Sequence, residues 1–369
     1  MKRKKIAIIG AGNCGSAIAG DMSLVGHMCR LFEFPEYVKN IKPIIEQGGI
    51  KVTGIARTGF AKVTATTDIS EAVKDVDLIM VTTVALAHER IAKELTPHLS
   101  DGQTVVLWPG SGGTLSFRKV WDELRMDRRT FLAEAVTSPY CCRRLRGPGT
   151  VNIHRIDGPQ MLLAALPASD TGNVMKALIG TYADKIKPAV SILEPALYNP
   201  NIIVHPVGAL LNMGRIEYAK GEFWMYKEGI TESVEKIINS MDKERQALFT
   251  SLGYKPYSYA QVFMDSFNMT REEFAKDSSK GPMSMQDRYV TEDIPMGATI
   301  TASLAKKIGV ATPTYDALIH IASVVNNTDY YKNGRNLKNL GLAALSTEKL
   351  KEYFITGLRP CLNSSSASG

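Results

Sequence analysis

The apolar positions change rhythm part-way along the chain. In the first half, short apolar runs at 6–9, 29–34, 78–81, 104–107 and 131–135 lack alternation, as strands covered on both faces do. Between them, apolar residues recur at helical spacing over 16–25, 35–47, 71–74, 87–99 and 116–125. Strand alternating with helix predicts parallel strands joined by crossovers, hence a doubly wound α/β sheet. Residues 52–67 break the rhythm with β-branched residues and glycines, which predicts a hairpin. Segments 151–156, 162–166 and 186–193 read as strands and 173–183 as a helix, closing a first domain over 1–195.

Beyond Glu194-Pro195 strand signals fade. Helical spacing dominates at 207–218, 231–252, 259–267, 299–308 and 314–325, which predicts an all-α domain over 196–362. Its connecting loop, 277–296, carries Gly, Pro and clustered charges, and the Ser/Gly/Ala-rich tail 363–369 reads as disordered.

Composition narrows the function classes. The 369 residues are 44% hydrophobic and 22% charged, an ordinary globular balance. No apolar run approaches the ~18 residues that a membrane helix needs. Lys2–Lys5 followed by residues 6–9 resembles the start of a signal peptide, but Gly10-Ala11-Gly12-Asn13-Cys14-Gly15 ends the apolar stretch at once, so a cytoplasmic location is expected. The net charge of +7 comes from scattered basic residues, apart from Lys2–Lys5 and a cluster at Arg143, Arg144 and Arg146. Without a nucleic-acid signature, that cluster suits small acidic substrates better than a polyanion. Cys14, Cys29, Cys141, Cys142 and Cys361 form no C-x-x-C pair and no zinc spacing, so reduced thiols and no metal are expected.

The glycine segment carries chemistry. Gly10-x-Gly12-x-x-Gly15 follows a strand and opens a helix, the context in which this spacing binds a dinucleotide. Gly10 permits the turn, Gly12 admits the pyrophosphate and Gly15 lets helix and strand pack closely; Asn13 and Cys14 complete the turn. The helix N-terminus then faces the phosphates. Glu33, 18 residues beyond Gly15, falls where an acidic residue accepts from the adenosine ribose and repels a 2′-phosphate, favouring NAD(H) over NADP(H). Arg30 is the nearby residue that offers a phosphate partner. Thr82-Thr83-Val84 and the loop from Trp108 to Gly113 lie at strand ends where nicotinamide and substrate are expected.

A nicotinamide enzyme needs a proton donor or acceptor at the reacting carbon, and histidine suits this near neutrality. His27 and His98 read as surface residues, His154 as outward-facing in a strand, and His320 as a helix residue. His88 opens a helix and could cap it or face the cofactor. His205 precedes Pro206, which suits the first turn of a helix, and so lies at the mouth of the helical domain. Arg288 is suited to a substrate carboxylate; chemistry alone leaves Asp287, Glu292 and Asp293 open as the partner of a catalytic histidine.

Several segments together carry a resemblance: Gly10–Gly15; Pro97-His98-Leu99 through Asp101-Gly102-Gln103 into Trp108-Pro109-Gly110; Thr137-x-Pro139-Tyr140-x-Cys142-Arg143; Asn199 through His205-Pro206; and Arg288-Tyr289-x-x-Glu292-Asp293-Ile294-Pro295. The sequence resembles the opine dehydrogenases of the octopine/nopaline type over nearly its whole length. The resemblance implies a Rossmann domain joined to a helical domain, with substrates in the cleft between them. It implies NAD(P)H-dependent reductive condensation of a 2-oxo acid with an amino acid or other amine. It assigns His205 as catalytic histidine and Asp293 as its partner, and Arg288 to substrate binding with Arg143 beside it. Thr137 and Cys142 fall where the family lines the oxo-acid pocket, and Thr82 and Thr83 fall at the cofactor. The helical domain offers a homodimer face, although no sequence signal demands one. A ketopantoate reductase or glycerol-3-phosphate dehydrogenase relative is the nearest alternative, but those enzymes use a lysine. A dinucleotide-binding sensor is the alternative of another class, against which the His205, Arg288 and Asp293 set argues.

Overall fold

A computed structural model describes residues 3–359 apart from 146, 148, 159, 277 and 279; Lys2, Arg146, Cys361 and the tail 363–369 lie outside the described residues. An eight-stranded sheet takes the order β12-β11-β8-β7-β6-β1-β2-β5. Its strands are β1 (Lys5–Ile9), β2 (Met28–Phe32), β5 (Thr64–Thr66), β6 (Leu78–Val81), β7 (Thr104–Leu107), β8 (Phe131–Ala135), β11 (Met161–Ala165) and β12 (Ile186–Pro188). All neighbours are parallel except β8 and β11. The central runs are buried on both faces because alternate residues enter different cores. Ile6, Ile8 and Met80 pack with Ile18 and Met22, whereas Ile9, Val81 and Leu107 pack with Ile91, Leu95 and Phe117. This is the doubly wound Rossmann arrangement that the alternating pattern predicts.

A hairpin is present, but over 49–62 rather than 52–67 and in another sheet; residues 64–66, expected within it, form β5 of the main sheet. β3 (Gly49–Gly54) and β4 (Gly59–Lys62) pair antiparallel and join β10 (Thr150–Ile156) and β9 (Tyr140–Arg144) in a separate sheet, β4-β3-β10-β9. That sheet covers the outer face of the helix that follows β1, α1 (Asn13–Val25). Residues 15–22 of α1 are therefore buried on both sides. At Gly20 an added Cβ would lie 2.5 Å from Val52 Cγ2, so the second sheet fits only over a glycine.

The remaining differences have local causes. The run at 186–193 stops as a strand at Pro188, which has no N–H to continue a ladder, and Glu194 Oε2 then accepts from the Val190 and Ser191 N–H groups at 2.6 and 3.2 Å. The helix holding Pro206 begins at Asn201, so the proline lies inside it rather than in its first turn. The loop expected at 277–296 contains the short helix Arg288–Thr291 and runs into a wide helical turn, Ile294–Ala298.

The later helices mostly build their own core around Ile203, Val207, Met241, Ile294 and Ile319. The last helix, Thr347–Thr356, returns instead to the sheet: Leu350, Tyr353 and Phe354 join the core of Leu163 and Leu166, and Arg359 Nε lies 3.1 Å from Asp122 Oδ2. No helix is long and apolar enough among the described residues to cross a membrane.

His88 is wholly buried, and among the described residues both ring nitrogens lack a hydrogen-bond partner. Burial, reinforced by the Arg335 charge, holds its pKa well below the usual histidine value. The folded chain thus keeps this imidazole neutral at pH values where the unfolded chain binds a proton, and stability falls as pH drops below about 6.5. Replacing His88 with leucine removes that difference. Between pH 7 and pH 5 the variant should lose less unfolding free energy than the parent, by up to about 1.4 kcal/mol per pH unit. Urea unfolding at the two pH values measures it.

Candidate active site

The glycine turn is built as a dinucleotide cradle. Gly10 has φ +102°, a conformation open to glycine, and an added Cβ would lie 2.6 Å from Thr83 Cγ2. A Cβ at Gly15 would lie 1.8 Å from Gly10 O, whereas Gly12 has nothing within 4 Å and leaves room above the turn. No side chain caps the N-terminus of α1, so its first N–H groups are available to a phosphate. Thr82 acts differently from expectation: its hydroxyl donates to Ile9 O and Gly10 O, each at 3.0 Å, so it splints the turn. Among the described residues the buried Thr83 Oγ1 has no hydrogen-bond partner. Glu33 Oε2 accepts from the Ala11 N–H at 3.2 Å and from Asn40 Nδ2 at 3.1 Å. Asn13 Oδ1 accepts from the Arg144 N–H at 2.9 Å, and burial pushes the Cys14 thiol up to about 12. An open backbone cradle, an orphaned hydroxyl and a fixed carboxylate suit a nicotinamide dinucleotide.

The loop from Trp108 to Gly113 is held by a residue that no motif announced. Glu134, fully buried on β8, accepts from the Gly112 N–H (2.8 Å), the Thr114 N–H (2.9 Å) and Thr114 Oγ1 (2.8 Å). Burial raises its pKa against those bonds.

His205 Nδ1 lies 2.7 Å from Asp293 Oδ2, and both side chains are buried. Gly297 permits this approach: an added Cβ would lie 2.4 Å from Ile202 Cγ1, so only a glycine lets the Ile294–Ala298 turn reach the helix bearing His205. The Tyr289 ring stacks on the imidazole with centroids 3.8 Å apart and planes 3° from parallel. Among the described residues Nε2 has no hydrogen-bond partner. Burial lowers the His205 pKa, Asp293 opposes that shift and Arg288 adds to it.

Other groups bring the two halves together here. Arg288 is 54% exposed, with Nη1 3.8 Å from Glu292 Oε2. Glu292 Oε1 accepts from the Ala85 N–H at 2.7 Å, while Ala85 O accepts from Arg335 Nη2 at 3.2 Å. Arg335 also donates to Ser111 O, and Asn199 Nδ2 donates to Ser111 Oγ at 3.3 Å. Both loops at the strand ends are thus fastened to the helical half beside the His–Asp pair.

On β9 the expected lining divides. Tyr140 and Cys142 face α1: Tyr140 OH donates to Asp21 Oδ2 at 2.5 Å, and Cys142 is 4% exposed in the same core. Cys142 is therefore corrected from pocket lining to core packing. Strand alternation puts Cys141 and Arg143 on the opposite face, and the Arg143 charge acts on the Tyr289 phenol. The buried Thr137 Oγ1, just beyond β8, has no hydrogen-bond partner among the described residues. Among the described residues no group of three or more His, Cys, Asp or Glu could hold a metal ion.

Comparison with known proteins decides the family. Residues 188–326 match the family model described as NAD/NADP octopine/nopaline dehydrogenase, alpha-helical domain. An opine dehydrogenase of Arthrobacter sp. (strain 1C) is 31% identical over 361 residues, covering 95% of this chain and 99% of the relative. The chain belongs to the opine dehydrogenase family. It is an NAD(P)-dependent oxidoreductase acting on the CH–NH group. Vitopine synthase of Allorhizobium ampelinum is 24% identical, with 94% of this opine dehydrogenase and 98% of that protein covered. A solved octopine dehydrogenase with NADH and pyruvate has a TM-score of 0.75 at 19% identity, covering 97% of this chain and 99% of that one; it shares the fold. Residues 5–110 match the NAD-dependent glycerol-3-phosphate dehydrogenase N-terminus, so the rival considered from sequence shares the cofactor half.

The Glu134 geometry yields a test. Glu134→Ala leaves three buried donors without an acceptor and should cost about 2–4 kcal/mol of stability. Glu134→Gln keeps one acceptor oxygen and should cost less, as read from denaturant midpoints.

Proposed function

We propose that this protein joins a 2-oxo acid such as pyruvate to the amino group of an amino acid or related amine and reduces the imine to a secondary amine, a dicarboxylic acid when the amine is an amino acid. The observation that carries the reading is the buried His205–Asp293 pair, 2.7 Å apart, with Arg288 beside it. Solved octopine dehydrogenases with pyruvate and with L-arginine support the substrate class. In this reading residues 1–195 hold the cofactor and residues 196–362 bring the acid/base pair. Glu33 makes NADH the preferred reductant, since a 2′-phosphate would meet its carboxylate.

The chain's own groups then do the following. Arg288, with Arg143, binds the oxo-acid carboxylate and orients its carbonyl carbon. His205, kept neutral by burial, takes a proton from the substrate ammonium through Nε2 and frees the amine to attack. Asp293 holds the imidazole by Nδ1 and supports the cation that forms. His205 returns that proton to the hydroxyl of the carbinolamine, which leaves as water and yields the protonated imine. Bound NADH supplies the hydride that reduces the imine carbon. Thr83 and Thr137 offer hydroxyls to the ligands at the strand ends.

NADH oxidation at 340 nm with pyruvate should require an amino acid as well. Oxidation with pyruvate alone would place the protein among hydroxy acid dehydrogenases. His205→Asn should lower kcat by about 10²–10⁴ while leaving the Kd for NADH unchanged. Asp293→Asn removes the charge that opposes the lowered His205 pKa, so the residual kcat/KM should have its acid limb at lower pH than the parent; an unmoved limb would detach the limb from His205.

A further inference from the structure

Glu33 does not stand alone at the ribose corner. Arg144 ends β9 on the face turned toward α1, and its guanidinium reaches over the glycine turn. Nη1 donates to Ala11 O at 2.9 Å and Nη2 to Asn40 O at 2.7 Å. Ala11 and Asn40 are the same two residues whose N–H groups hold Glu33 Oε2. Carboxylate and guanidinium are therefore fixed side by side on one frame, the first by its donors and the second by its acceptors. Neither is spent on the other. A guanidinium has five N–H groups, and these two bonds leave part of the fork for a further acceptor.

Arg30, the arginine that the sequence offered for this purpose, is committed elsewhere: its Nη1 donates to Glu71 O at 2.9 Å and Lys74 O at 2.5 Å. Arg144 comes from the second sheet, more than a hundred residues beyond Glu33, and occupies the position that Arg30 does not.

We propose that Glu33 and Arg144 together read the 2′ position of the adenosine ribose. Glu33 accepts the ribose hydroxyls of NAD(H), and Arg144 supplies the guanidinium that binds the 2′-phosphate of NADP(H). Selection between the cofactors is then set by the balance of the pair, with Glu33 disfavouring the phosphate that Arg144 attracts. The proposal rests on the reading that the glycine turn holds a nicotinamide dinucleotide.

The test is equilibrium binding, independent of turnover. NADH and NADPH are titrated by nicotinamide fluorescence, and ADP and adenosine 2′,5′-bisphosphate by displacement of NADH. Arg144→Met should weaken NADPH and the 2′,5′-bisphosphate by about tenfold or more, the scale of a charged hydrogen bond, while NADH and ADP change less than about threefold. Glu33→Ser should tighten NADPH by about tenfold, and adding Arg144→Met to it should abolish that gain. Equal weakening of all four ligands by Arg144→Met would overturn the proposal and make Arg144 a splint of the turn. So would Glu33→Ser failing to tighten NADPH, an outcome that does not depend on how well the arginine variant folds. If the parent binds neither NADH nor ADP, the dinucleotide reading fails and takes the proposal with it. If it binds both while no variant alters the 2′-phosphate ligands, the proposal alone falls.

Discussion

The closeness of α1 to the turn before it governs the rest of the ligand edge. The Gly10 carbonyl occupies the space a Cβ at Gly15 would need, and the Thr82 hydroxyl locks that carbonyl from the neighbouring strand. A larger residue at Gly15 would push the helix off β1 and withdraw its N-terminal N–H groups from the phosphate position. The second sheet makes the placement stiffer still. Asp21, buried on α1, is held by Arg57 and by Tyr140 from β9, so the helix is fixed from its outer side as well. Covered on both faces within one core that also takes in Ile50, Val52 and Ile153, it can shift only if that core gives way, and well-packed cores yield little.

The His205–Asp293 pair depends on a second constraint, between the halves. Ala85 is gripped on both sides of its peptide plane: its N–H by Glu292 and its carbonyl by Arg335. Glu292 precedes Asp293 in the chain, so the loop after β6 and the carboxylate behind His205 are joined through one backbone residue. Burial lowers the Arg335 pKa to about 10, opposed by Glu134 and Glu292, and burial together with Asp293 raises that of Glu292. Such groups are costly to bury unless well partnered. Their presence at the joint favours one relative placement of cofactor loop and histidine over many loosely packed ones.

Much of this was legible in the chain because the signals were local. The central strands of the main sheet, the glycine turn and Glu33 each carry their own pattern, and the helix 232–252 is periodic enough to read directly; the edge strand β5 was read as part of the hairpin. What escaped depended on partners distant in sequence. A hairpin was readable, although over 52–67 rather than 49–62, but its pairing with 140–156 was not, since parallel β3–β10 pairing spans about a hundred residues. Cys142 and Arg144 share a face with Tyr140, which becomes evident once β9 is known to lie over α1; in the sequence the motif joined Cys142 to Arg143, and the basic cluster joined Arg144 to it. Glu134 sits in an apolar strand with no motif around it, and a buried glutamate there was the one available sign.

The placement of β9 puts Arg143 and Arg144 on opposite faces of a single strand. A one-residue slip in pairing would exchange the two faces, turning Arg144 away from the glycine turn and Arg143 toward it. The irregularity in the β9–β10 ladder between Ile153 and Arg155 lies within this pairing, and Tyr140, bonded to Asp21 and Tyr182, pins the other end of the strand. An inserted or deleted residue at 138–143 would therefore keep both arginines in the sequence yet present each to the wrong face, an error of registration rather than of composition.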